Sequence, residues 1–265
     1  MIPISVIIIT KNEGLILEKC LRSIRDLTDD IIIVDSGSID NTFTIAEQFN
    51  CRVLQTPWDG YGENKNKGIA KAKYNWILSI DADEILNKQL YDSLSTKTFF
   101  NENIAYRLNF KIHIGNVLLR HGQPGNVNKV RLFNRKKILW NNALVHEGLL
   151  LPKGTICEDL PGSILHYSYR DIDHCISKTN LYTTLLARQM FKNEKKFSFL
   201  KLYINPFYTF IKNYIFKLGF LDGFWGYTYA RMNSNYCYLK YAKLNELNKK
   251  EIIEVAEVKK YSQIR

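Results

Sequence analysis

The first eighty residues alternate between two spacings of apolar positions. Ile4 to Thr10 is a continuous apolar run rich in β-branched residues, which predicts a strand buried on both faces. Leu17, Cys20, Leu21 and Ile24 then recur at helical spacing and predict an amphipathic helix opening near Asn12. Ile31 to Val34 repeats the buried-strand signal and ends at Asp35. Thr42, Ile45, Ala46 and Phe49 mark a second helix, and Arg52 to Gln55 a third, short strand. Asn64 to Ala72 reads as another helix, and Trp76 to Ile80 as a fourth strand ending at Asp81. Alternation at such intervals implies right-handed βαβ units, hence an α/β fold built on a mainly parallel sheet flanked by helices. Ligands in such sheets bind beyond the carboxyl ends of the strands. Those ends carry Thr10-Lys-Asn-Glu13, Asp35-Ser-Gly-Ser38 and Asp81-Ala-Asp83, three polar clusters expected on one rim.

After residue 100 the alternation stops. Tyr106 to Ile114 and Val130 to Phe133 read as strands joined by a Gly/Asn-rich loop. A helix is expected from Ser168, with Ser168 and Asp171 spaced as a capping box. The tail from Phe197 to Leu239 is dense in Phe, Tyr and Trp with Lys interspersed. Asn205-Pro206 is a helix start, with Asn as cap and Pro in the first turn. Phe207, Phe210, Ile211, Tyr214, Ile215 and Leu218 then share one face, opposite Lys212, Asn213 and Lys217. Lys201, Lys212 and Lys217 interrupt the segment too often for a bilayer span. It suits a helix lying in the headgroup plane, or equally one packed on the preceding domain. The chain thus divides into residues 1–170, an α/β domain, and residues 171–265, a helical amphipathic extension.

Composition narrows the class. The 265 residues are 46% hydrophobic and 24% charged, which excludes a disordered chain. A net charge of +11 attracts nucleic acid, anionic lipid or phosphate-bearing substrates, and is equally explained by AT-rich coding that enriches Lys. The five cysteines (Cys20, Cys51, Cys157, Cys175 and Cys237) are scattered and include no CxxC pair, which argues against a disulfide framework or zinc knuckle and for a reducing compartment. Met1 runs almost directly into a strand, without a basic n-region or cleavage site, so a cytoplasmic location is expected.

The candidate chemistry lies at the strand ends. Asp81 and Asp83, one residue apart after a buried strand, repel each other unless a cation compensates. A hard divalent ion bridging to a diphosphate is one solution; an ordinary acidic helix start is the plainer one. Asp35 can accept from a nucleobase imide or a ribose hydroxyl while Gly37 lets the chain turn. The plainer role is a strand-to-helix turn capped by Asp40 or its neighbours.

Taken together, Ser5-Val-Ile-Ile-Ile-Thr-Lys-Asn-Glu13, Asp35-Ser-Gly-Ser-Ile-Asp-Asn-Thr42 and Ile80-Asp-Ala-Asp-Glu84 resemble the three signatures of the family-2 inverting glycosyltransferases of GT-A, Rossmann-like fold. The resemblance implies a uridine pocket formed by Thr10, Asn12, Glu13 and Asp35, with Asp81 near the ribose and Asp83 on a metal. Lys65-Asn66, after Trp58-Asp-Gly-Tyr-Gly62, is similar to a region that contributes to the donor site; Lys65 would neutralise donor charge, its plainer role being a solvated helix lysine. Arg131-Leu-Phe133, Val145-His-Glu147, Leu165-His-Tyr-Ser-Tyr-Arg170, Gly219-Phe-Leu-Asp-Gly223 and Leu239-Lys-Tyr-Ala-Lys-Leu244 resemble the subgroup that includes lipopolysaccharide inner-core β-glucosyltransferases. One segment departs: His121-Gly-Gln-Pro-Gly-Asn126 stands where the subgroup carries aromatic and acidic residues, which puts acceptor identity in doubt.

The resemblance implies an enzyme that moves a sugar, glucose in that subgroup, from a UDP-sugar to a hydroxyl of a lipid-linked or lipopolysaccharide core acceptor, on the inner face of the cytoplasmic membrane. Inversion needs one in-line displacement, with Glu147 as candidate base and His146 as the alternative. His166 is a candidate metal ligand beside Asp83, where a nitrogen ligand favours Mn²⁺ over Mg²⁺. Arg131 is a candidate bidentate clamp for phosphate or acceptor oxygens. A non-enzymatic membrane- or nucleic-acid-binding protein using the basic aromatic tail is the competing reading, but it leaves the three acidic strand ends unexplained. A nucleotidyltransferase would want a Gly-rich phosphate loop after the first strand, and none is found there.

Overall fold

The computed structural model describes residues 1–122, 127–141 and 147–262. Two compact units are present: Met1–Leu118 with Pro124–Ser168, and Leu119–Gln123 with Tyr169–Arg265.

The first unit begins β1 (Ile4–Thr10), α1 (Leu17–Arg22), β2 (Ile31–Asp35), α2 (Thr42–Gln48), β3 (Arg52–Gln55), α3 (Tyr61–Ala70) and β4 (Trp76–Asp81). Strands β3, β2, β1 and β4 lie side by side and parallel, as the alternation predicts. Their continuous apolar runs follow from burial on both faces. Ile4, Val6 and Ile8 of β1 pack with Leu17, Cys20, Leu21 and Ile24 on one side of the sheet, whereas Ile7 packs with Val34 and Ile69 on the other. Gly68 lets α3 sit close to that second face, since a Cβ there would come within 2.6 Å of Ile7 Cγ2 and 2.7 Å of Val34 Cγ2.

The chain continues through β5 (Glu84–Leu86), α4 (Lys88–Ser95), β6 (Ile104–Ile114), β7 (Val117–Leu118), β8 (Val127–Asn134) and β9 (Ile156–Tyr169). These strands complete a nine-stranded sheet in the order β3-β2-β1-β4-β8-β6-β9-β5, with β7 beside β6. Here the pairing turns antiparallel: β8 runs against β4 and β6, and β5 against β9. The expected helix and capping box at Ser168 are corrected, because Ser168 belongs to β9 and Asp171 alone is the N-cap of α5 (Ile172–Lys192), accepting from His174 N at 2.7 Å.

The second unit holds α5, α6 (Phe199–Ile211), a π-helical turn (Lys212–Phe216), a 3-10 turn (Gly219–Asp222) and α7 (Gly223–Ser262). The expected helix start at Asn205-Pro206 is also corrected. α6 begins at Phe199 and carries Pro206 inside it. Pro206 cannot donate to the Leu202 carbonyl, and its own carbonyl accepts from Ser234 Oγ of α7 at 2.9 Å. Among the described residues no helix is long and apolar enough to cross a membrane.

Candidate active site

Strand register sets the rim. Thr10 pairs with Asp35 and Ile9 with Asp81, so the ends of β2, β1 and β4 come level within one residue, about 5 Å from strand to strand. Two of the three polar clusters are shaped by local bonds. Asp35 Oδ1 accepts from the backbone of Gly37 at 3.0 Å and Ser38 at 2.9 Å, and the Ser38 hydroxyl donates to its other oxygen. Asn12, at a positive φ of 56°, ties the loop after β1 to the loop after β2: its N–H donates to Ser38 Oγ and its Oδ1 accepts from Ile39 N, both at 2.8 Å. Glu13 N–H donates to Thr42 Oγ1 at 3.0 Å. Asp40, just before the N-cap Asn41 of α2, accepts from Thr42 N at 3.1 Å and Gly14 N at 3.0 Å. Burial alone would push its carboxyl up, but the Thr42 and Gly14 bonds hold it below the usual range. Thr10 Oγ1 is buried and has no hydrogen-bond partner among the described residues, which leaves it available at the rim.

The third cluster is a chain of ion pairs. Lys65 of α3 is fully buried, with Nζ 3.1 Å from Asp81 Oδ1 and 2.7 Å from Glu147 Oε1, and lies 4.5 Å from the centre of the Trp140 ring. Arg131 of β8 reaches Glu84 Oε1 at 3.0 Å and approaches Asp81 Oδ2 at 3.7 Å. Burial pushes the Asp81 carboxyl up, yet the Lys65 ammonium and the Arg131 guanidinium outweigh it and hold the group down to about 2. Burial wins at Glu84, whose carboxyl is raised despite Arg131. Burial disfavours the Arg131 charge, but Glu84 and Asp81 more than restore it.

Glu84 and Trp140 join the candidate site in the structure, where the sequence points to neither by itself. Glu84 closes the Asp81-Ala-Asp83 turn, accepting from Asp81 N at 3.0 Å while it holds Arg131. It was visible as the last residue of its motif, but nothing in a sequence reports that a carboxylate is sealed from solvent. Strand β9 clamps the same turn from the other side. Tyr167 N donates to the Asp83 carbonyl at 2.9 Å, and His166 pairs across the sheet with Glu84. That register puts His166 Nε2 3.4 Å from Asp83 Oδ2.

The distance bears on a metal. Adjacent ligands on an octahedral ion with bonds of about 2.1 Å stand roughly 3 Å apart, so Asp83 and His166 suit neighbouring positions on one divalent ion. Among the described residues no group of three or more metal-ligating side chains gathers; Asp83 and His166 are the pair that would hold the ion.

Glu147 enters from the connection that follows Trp140. Trp140 and Leu149 form an antiparallel bridge, and Asn141 N donates to the Gly148 carbonyl at 2.9 Å. Asn66, the neighbour of Lys65 on α3, holds both backbone groups of Trp140, donating to its carbonyl at 2.9 Å and accepting from its N–H at 3.0 Å. Of the predicted site residues, Lys65, Asp81, Arg131 and Glu147 therefore meet in one cluster. Asp83 and His166 form an adjoining pair, and Thr10, Asn12, Glu13 and Asp35 line the ends of β1 and β2. The alternative base, His146, and residues 123–126 of the divergent loop lie outside the described residues.

The chain is similar to several known proteins. A glycosyltransferase of Rickettsia felis is 32% identical over 97% of this chain and 95% of its own length. The lipopolysaccharide core biosynthesis glycosyltransferase LpsC of Rhizobium meliloti is 31% identical over 92% of each. Among solved structures, a glucosyl-3-phosphoglycerate synthase of Mycobacterium tuberculosis is 19% identical over 71% of this chain and 78% of that one, with a TM-score of 0.46. Residues 5–141, more than half of the chain, match the profile of glycosyl transferase family 2. The chain belongs to glycosyl transferase family 2 and is a glycosyltransferase.

Proposed function

We propose that the enzyme transfers a hexose, glucose in the first instance, from a UDP-sugar to a hydroxyl of a lipid-linked or lipopolysaccharide core acceptor, with inversion at the anomeric carbon. One observation carries the reading: Glu147 is gripped by a buried Lys65 that also holds Asp81, so a carboxylate from a separate connection stands beside the acidic end of β4. The kinship with LpsC, a lipopolysaccharide core glycosyltransferase by name, supports the acceptor class.

In this reading Thr10 and Asp35 receive the nucleoside, with Asn12 and Glu13 shaping the loop around it. Asp81 faces the ribose. Asp83 and His166 would hold a divalent ion, Mn²⁺ or Mg²⁺, which would supply charge neutralisation to the departing diphosphate when bound. Glu147 takes the proton of the acceptor hydroxyl as that oxygen bonds to the anomeric carbon and the bond from carbon to diphosphate oxygen breaks. Lys65 keeps Glu147 aimed throughout. Arg131, held by Glu84, keeps the positive charge near Asp81 in place.

The test is a panel of UDP- and GDP-sugars scored by thermal shift with and without Mn²⁺, followed by NMR of the product anomer. Stabilisation by a UDP-hexose that needs metal, and a product of inverted configuration, is expected. Asp83→Ala should lose the metal-dependent part of the shift. Retained configuration, or an Asp83→Ala enzyme fully active in chelator, would overturn the reading.

A further inference from the structure

α6 is built inside out. Leu200, Tyr203, Ile204, Phe207 and Tyr208 recur at i, i+3, i+4, i+7 and i+8, the spacing that normally marks a helix face turned to a core. Here all five are exposed, from 55% at Ile204 and Tyr208 to 70% at Phe207, and Phe216 in the following π-helical turn is 71% exposed. The opposite face carries Leu202, Asn205, Pro206 and Thr209, and the next inward position is the buried Asn213. That more polar face is the one tied to α7, through Ser234 and Pro206. A water-facing helix with its apolar residues outward exposes a contiguous patch of the kind that marks an interaction site.

Charge selects the occupant. Lys195, Lys196, Lys201, Lys212 and Lys217 are all exposed, and no Asp or Glu occurs between Glu194 and Asp222. Asp222 is itself occupied, accepting from Arg120 N at 3.0 Å and from His121 N at 2.8 Å. A second copy of the chain would bring five lysines against five lysines. An anionic bilayer presents the opposite charge together with an apolar layer a few ångströms below it. The Lys212 ammonium lies 6.0 Å from the Tyr208 ring centre, so cationic and aromatic groups are presented together. No described helix can cross the bilayer, so the segment would lie along the surface.

We propose that the outward face of α6 and the π-helical turn after it docks on an anionic lipid bilayer, with aromatic side chains entering the acyl boundary and the flanking lysines meeting the headgroups. The inference stands apart from the choice of donor sugar, because its readout is vesicle binding rather than transfer.

The experiment is co-sedimentation of the full chain with vesicles of phosphatidylcholine alone and of phosphatidylcholine containing phosphatidylglycerol, at low and high salt. Binding to the anionic vesicles that weakens with salt is expected. Phe207→Ser with Phe216→Ser leaves the charge unchanged and touches no core residue, so melting should be unaltered while vesicle affinity falls on the order of a hundredfold. Lys201→Gln, Lys212→Gln and Lys217→Gln together should also lower it on the order of a hundredfold, at roughly fivefold per lysine. Three results would overturn the proposal. They are a wild type that does not bind anionic vesicles, a Phe variant that binds as the wild type does, and a dimer in sedimentation equilibrium that the Phe substitutions dissociate while vesicles capture nothing.

Discussion

Replacing Lys65 by methionine keeps the apolar stem and deletes the charge that joins Asp81 to Glu147. Removing one member of a buried ion pair costs about 3–5 kcal/mol. Asp81 and Glu147 retain 29% and 16% side-chain exposure, and Arg131 still stands 3.7 Å from Asp81, so a loss of about 2–3 kcal/mol is expected here. Part of that can be worked from the carboxyl itself. Burial raises Asp81, but Lys65 and then Arg131 bring it from an ordinary 3.8 to about 2. A lowering of that size is worth about 2 kcal/mol, with Lys65 the larger of the two cationic contributions. A carboxylate lowered by folding adds stability above its unfolded value and loses it as pH falls through its folded value. The gap between wild type and Lys65→Met should therefore be full at pH 7 and narrow between pH 4 and pH 2. Urea unfolding at pH 7, 4 and 3 measures it. Equal stability at pH 7 would remove the ion pairs from the account, and a gap of constant size across the series would assign the loss to packing instead.

The remaining predictions concern single positions. Glu147→Gln should lower turnover by about 10²-fold or more while donor-induced thermal shift is kept; unchanged turnover would dismiss Glu147 as the base. Gly162→Ala should destabilise by about 3 kcal/mol or more, because its φ is +102° and a Cβ would fall 2.2 Å from Leu90 N. Loss of less than about 1 kcal/mol in urea would show that β9 can shift away from α4 at little cost. Asp171→Ala should cost about 1 kcal/mol through the lost cap of α5, read as a lower melting temperature, whereas Ser168→Ala should leave that cap intact.

The parallel half of the sheet was legible because its strands are buried on both faces and its helices on one, so periodicity alone separates them. β9 was not. Glu158, Asp159, Pro161 and Gly162 interrupt any apolar alternation, and the strand exists because its neighbours supply the pairing. Without β9, and without the three-residue β5 that opposes it, only the family resemblance, and no periodicity, put His166 beside Asp83. Lys65 shows the limit at the level of one side chain. Spacing put it on a helix, where a solvated lysine is the ordinary outcome, but the two carboxylates that allow its complete burial come from residues 81 and 147. α6 was legible as an amphipathic helix but not in its orientation: spacing left open whether its apolar residues pack inward or face out, and Phe207, Ile215 and Leu218 are exposed.

Two consecutive residues of α3 hold two separate points of one connection, Asn66 at the Trp140 backbone and Lys65 at the Glu147 carboxylate. The helix therefore acts as an index. Each residue advances the direction of its side chains by about 100°, so adding or deleting one position between Tyr61 and Lys65 would turn both attachments away at once. The composition of this helix matters less in these terms than its length ahead of Lys65, which is tied to where the Glu147 carboxylate stands.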